Sequence, residues 1–129
     1  MENLINKKGI LSKMVTGDSF SIAELINKIQ GFCLGLRLTH WTTTSFELHK
    51  AVETTQAGLE EALDTFVEAF IGMNGGNRPI LEKNVSQELD EDSVITYLKD
   101  LPVKDTSLLN IRDEMLQVIY KFKYLKTLK

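Results

Sequence analysis

Residues 40–76 read HWTTTSFELHKAVETTQAGLEEALDTFVEAFIGMNGG, and their pattern decides the fold. From Phe46 onward, Leu48, Val52, Leu59, Leu63, Phe66 and Phe70 step along one side, with Thr55 and Ala62 filling the period. Apolar residues three and four apart mark one buried face of a long helix. Asn74-Gly75-Gly76 predicts its end, with Pro79 just beyond. In front of it, Thr42-Thr43-Thr44-Ser45 favours a tight turn and a new N-cap over continued helix, because these side chains compete for backbone hydrogen bonds.

Working outward, Ile22, Leu25, Ile29, Phe32 and Leu36 repeat the same spacing before the turn. Asp18 or Ser19 is the expected cap, with Glu24 in the first turns. A second set, Leu34, Leu38 and Trp41, lies on another side, so the end of this helix is expected to be covered once by its own bundle and once by a partner subunit. Residues 1–17 read as an N-terminal arm. After the turn glycines, residues 77–91 are a polar connector. Asp92 or Ser93 is the expected cap of a short helix through Val94, Ile95 and Leu98, ended by Pro102. Asp105-Thr106-Ser107 caps a last helix carrying Leu108, Ile111, Met115, Val118, Phe122 and Leu125. The sum is an all-α chain of three long helices plus one short helix, in one domain over residues 1–129. Its first two long helices form an αα-hairpin, the start of a bundle.

The 129 residues suit a single core. A hydrophobic content of 43% and a charged content of 26% are those of a globular protein. The net charge of −3 excludes a strong whole-molecule polyanion binder. Cys33 is the one cysteine, so no internal disulfide forms; it falls in an apolar run and reads as a small core residue. No apolar run reaches the ~20 residues of a membrane span, and the N-terminus lacks a signal-peptide core. The expectation is a cytosolic protein, or one carried in a particle assembled in a cytosol.

The chemistry concentrates in four side chains. His40 and His49 flank the turn; Asp64 and Glu68 are four apart and share a helix face. Imidazole nitrogens and carboxylate oxygens together bind iron or another divalent cation. Yet His49 and Asp64 stand fifteen residues apart on one helix, roughly 22 Å at ~1.5 Å per residue. The four therefore make either two separate half-sites or one site shared between two chains. An isologous twofold contact would bring the His end of one hairpin to the carboxylate end of the other.

At these residues the chain resembles the miniferritins, the Dps proteins of the ferritin-like superfamily. The shared pattern is His40-Trp41, Phe46, His49, then Asp64-x-x-x-Glu68, then Gly75-Gly76; it spans roughly residues 33–79. The resemblance implies a ferritin-like helical bundle and an iron cofactor oxidised from Fe(II) by peroxide or oxygen. It implies metal ligation by His40 and His49 from one chain with Asp64 and Glu68 from its mate. Trp41 would be the redox-active aromatic beside the centre. A twofold homodimer follows, and the family also builds larger cages. Two departures stand out. The His-to-His segment is three residues shorter than the family's usual twelve, and only one clearly long helix follows the connector. Val67 and Ala69 also replace the family's usual Ala and Arg.

Each signal has a plainer reading. His40 and His49 are also ordinary helix-end groups, Asp64 and Glu68 a solvated face that the neighbouring Phe66, Val67 and Phe70 would partly bury, and Trp41 a core or interface anchor. Lys121, Lys123, Lys126 and Lys129 suit a helix C-terminus or nonspecific DNA contact, with Lys7, Lys8 and Lys13 a weaker basic set. Two alternatives to an iron protein remain. One is a non-catalytic helical scaffold or virion-associated structural component; the other is a small regulator whose last heptads dock on a partner helix.

Overall fold

The computed structural model describes residues 20–81, 84–88 and 90–128. The expected N-terminal arm, its lysines and Lys129 lie outside these residues. Among the described residues there are four helices: α1 (Ile22–Thr42), α2 (Phe46–Met73), α3 (Glu91–Lys99) and α4 (Thr106–Leu125). Helix is the sole regular secondary structure among the described residues, in three long helices and one short, as the apolar spacing requires.

The caps explain the boundaries. Ser21 caps α1, its hydroxyl accepting from the Glu24 amide at 3.1 Å, so the helix starts later than a cap at Asp18 or Ser19 would give. Ser45 caps α2 by accepting from the Leu48 amide at 3.1 Å. Asp90, not Asp92 or Ser93, caps α3. Periodicity locates the apolar residues of such a short helix but not its first turn. Asp105 caps α4. At the end of α2, Gly75 and Gly76 take φ of 71° and 85°, a conformation that costs glycine little.

Cross-contacts give the topology. Three residues link α1 to α2, so they run antiparallel. Val118 of α4 lies against Gly58, while Phe122 and Lys126 share a groove with Val52 and Leu48. Residue numbers rise on one helix as they fall on the other, so α4 is antiparallel to α2. Lys123 meets Asp92 and Arg112 meets the Leu98 carbonyl, which makes α3 antiparallel to α4. Lys28 reaches Ser93 and lies nearest the start of α3, while Glu24 acts on Tyr97 near its end, so α3 is antiparallel to α1 as well. The result is a four-membered ring in the order α1, α2, α4, α3, running up, down, up, down around the circle. In chain order it runs up, down, down, up, with one long crossover between α2 and α3.

That crossover crosses α1 at Gly31, whose carbonyl accepts from the Glu88 amide at 3.0 Å. A side chain at residue 31 would collide with the Ser86 carbonyl. Inside the ring, Leu25, Ile29, Leu59, Phe66, Phe70, Val94, Leu98, Leu108, Met115 and Ile119 are fully buried. Each contributes about 1.5–3 kcal/mol through removal from water. Phe20 packs its edge on Phe70 at 5.6 Å and tilts on Phe66 at 6.1 Å, closing the end of the ring opposite the hairpin turn. In α4 the spacing named Ile111, Val118 and Leu125 as core; these are half-buried, and Ile119 takes a fully buried place instead. The ring rotates the buried stripe toward α2 and α3 together.

Candidate functional site

The site begins at the turn. α1 ends at Thr42, and its last carbonyls lack helical partners. The His49 ring fills part of that deficit: its Nδ1 lies 2.9 Å from the His40 carbonyl oxygen. The His40 ring returns the contact, its Nδ1 lying 3.3 Å from the His49 carbonyl. The two rings stack with centroids 3.8 Å apart and planes 20° apart. A carbonyl only accepts, so each Nδ1 carries a hydrogen and donates it. This fixes the tautomer of a neutral ring and leaves both Nε2 lone pairs outside the clasp. Backbone oxygens holding Nδ1–H in this way are the usual outer support of a histidine that ligates through Nε2.

Beside the pair, an open groove of about 190 Å³ runs between α1 and α2, lined by Arg37, His40, Glu53, Gln56, Ala57 and Glu60. Glu53 sits four residues after His49, on the same helix face. The Lys50 ammonium at 3.2 Å holds its carboxyl below the usual carboxylate range, and the two nearby imidazoles act in the same direction. Glu60 accepts from the Gln56 amide at 3.1 Å. The sequence reading missed Glu53; its signal was the i,i+4 spacing from His49. Glu60, seven residues beyond Glu53, is brought by the fold onto the same groove that reaches His40.

The structure brings His40 and His49 together and leaves Asp64 and Glu68 far along α2. Both carboxylates are exposed, not partly buried as their apolar neighbours suggested. Phe66 and Phe70 point into the ring while residues 64 and 68 point away from it. Trp41 is 67% exposed, which rules out a core role; its only ring partner among the described residues is the Arg37 guanidinium, 5.5 Å from the centroid. Phe46 is 70% exposed across the turn. Among the described residues no group of three or more His, Cys, Asp or Glu side chains could hold a metal ion within one chain.

Cys33 is buried, and burial pushes its thiol up to about 12, with Glu60 adding to the rise. It is an inert core residue. The basic end of α4 is less cationic than its own residues suggest. Lys123 pairs with Asp92 at 2.6 Å and Lys126 with Glu91 at 2.7 Å. The α3 acids lie some thirty residues earlier in the chain, so the local sequence around the lysines hides them. Lys121 remains exposed. Among the described residues no helix is long and apolar enough to cross a membrane.

No curated protein and no solved structure matches the chain. Residues 40–125 do match a family profile, running from the first histidine of the clasp to the last residue of α4, and by that match the chain belongs to the Family of unknown function (DUF5856).

Proposed function

We propose that this protein is a miniferritin-like iron protein that binds and oxidises Fe(II) at sites formed between two copies. His40 and His49 come from one protomer, with Asp64 and Glu68 of the partner subunit. The observation that carries the reading is the reciprocal clasp, which presents two Nε2 donors at one corner with their tautomers fixed. Two further features support it. A four-helix ring with one long crossover is the connectivity of ferritin-like folds. Asp64 and Glu68 are open to solvent, where a second copy can reach them.

Iron is the substrate here, and its redox chemistry is its own. The chain's part is to supply neutral imidazoles that retain Fe(II) and carboxylate oxygens that favour Fe(III). Glu53 adds a carboxylate next to the imidazoles. Trp41, exposed beside the corner, is placed to take up oxidising equivalents that escape. After Fe(II) and peroxide are mixed with the protein, absorbance from ferric product is expected to grow. His49→Ala and Asp64→Ala are each expected to abolish that growth, and unchanged oxidation in both variants rejects the site.

A non-catalytic scaffold is the second reading. The clasp by itself ties the hairpin shut, and no single chain gathers three ligands among the described residues. Anaerobic Fe(II) titration separates the two: about one tight site per chain supports the iron protein, and none supports the scaffold.

A further inference from the structure

Where α1 begins and α3 ends, an open cavity of about 190 Å³ lies between Phe20, Tyr97, Leu101 and Pro102. Phe20 and Leu101 are buried and Tyr97 is half-buried, so the walls are mainly apolar. The polar lining is Ser21, Glu24 and Asp100. The Ser21 hydroxyl already serves the Glu24 amide at 3.1 Å. Glu24 and Asp100 are exposed, and among the described residues no ammonium or guanidinium pairs with either carboxylate. We infer that this cavity binds an organic cation, a quaternary ammonium group, with its alkyl carbons against the apolar walls and its charge answered by Glu24 and Asp100.

Charge selects the class of ligand. The groove at His40 includes Arg37, and the cavity at the hairpin end includes Lys126; this one has two carboxylates and no basic side chain in its lining. Lys28 stands 5.7 Å from the Tyr97 ring centroid, but Glu88 holds its ammonium at 3.3 Å. That contact shows the Tyr97 ring accepting a cation, as aromatic faces do. Burial, reinforced by Glu24, raises the Tyr97 phenol above its usual range, so the ring stays neutral. Asp100 caps α3, whose carbonyl end adds negative potential. Glu24, in the first turn of α1, offsets the positive end of that helix. The walls set the rest of the chemistry. A hydrated metal ion gains nothing from Phe20, Leu101 and Pro102, whereas methyl groups on a charged nitrogen bury apolar area there. The cavity lies at the end of the ring opposite His40 and His49, so this inference stands apart from the iron reading.

Tetramethylammonium titrated into the full chain tests the site, with tert-butanol as a neutral group of similar shape and sodium chloride holding the ionic strength constant. The amide NMR signals of Ser21, Tyr97 and Leu101 are expected to shift saturably with tetramethylammonium and not with tert-butanol, while that of Trp41, at the other end of the ring, stays in place. Glu24→Gln combined with Asp100→Asn is expected to weaken binding about tenfold, the scale of two exposed charge contacts. Both positions are exposed, so this variant keeps its packing and its helical circular dichroism. No saturable shift, an equal response to tert-butanol, or unchanged affinity in the double variant overturns the inference. So does magnesium chloride moving the same amides at lower concentration than tetramethylammonium, which would make this a site for an inorganic cation.

Discussion

His40 and His49 exchange hydrogen bonds across the hairpin turn, each ring donating to the other's backbone carbonyl while the rings stack 3.8 Å apart. Removing the His49 ring leaves the His40 carbonyl, at the end of α1, without this donor, a loss of about 1 kcal/mol. His49→Phe keeps an aromatic stack but has no donor. Thermal unfolding of this variant is expected a few degrees below wild type. Equal melting temperatures would show that stacking alone holds the corner.

Gly31 and Gly72 both sit inside helices, yet opposite outcomes are expected on substitution by alanine. At Gly31 the added carbon would collide with the Ser86 carbonyl oxygen, so the crossover must move. A loss of about 1–3 kcal/mol follows from such overpacking. At Gly72 nothing lies within 4 Å. There alanine gains helix propensity, at most ~1 kcal/mol. Urea unfolding of both variants checks the pair; a Gly31→Ala protein as stable as wild type would mean the crossover does not pack on α1.

Asp105 links stability to acid. Hydrogen bonds from the Ser107 hydroxyl and from the Leu108 and Ser107 amides hold its carboxyl below the ordinary carboxylate range. A lowered folded-state pKa stabilises fully above the unfolded value, about 3.9. The contribution is lost as pH falls through the lower folded value. Asp105→Asn keeps a capping oxygen without the charge and is expected to flatten the acid limb of a melting-temperature profile. An acid limb identical to wild type would assign the pH dependence to other carboxylates.

Cys33 reports on the core. With its thiol pushed up to about 12 by burial, native protein near neutral pH is expected to resist a thiol reagent and react only after unfolding. Rapid labelling of native protein would show that α1 opens along this side.

Phe66 is fully buried where Phe20 and the far end of α2 meet. Phe66→Ala is expected to cost about 3–5 kcal/mol, a large part of a typical domain's 5–15 kcal/mol. Denaturant midpoints measure it, and a loss below ~1 kcal/mol would mean the ring end is loosely packed.

Sequence alone determined the elements. The apolar residues of α1 and α2 recur at a period only a helix satisfies, and Ser45, Asp105 and Gly75-Gly76 punctuate the chain through local hydrogen bonding and backbone freedom. It also picked out His40 and His49, because two imidazoles nine residues apart across a tight turn must come near each other. What it could not fix depends on packing between distant segments. Only the assembled ring turns Ile119 inward, aims Asp64 and Glu68 at solvent, brings Asp92 and Glu91 to the α4 lysines and sets Glu60 on the groove beside His40. Periodicity records which residues of a helix are apolar; the direction that face takes, and the charges that meet it, are set by neighbours arriving from elsewhere in the chain.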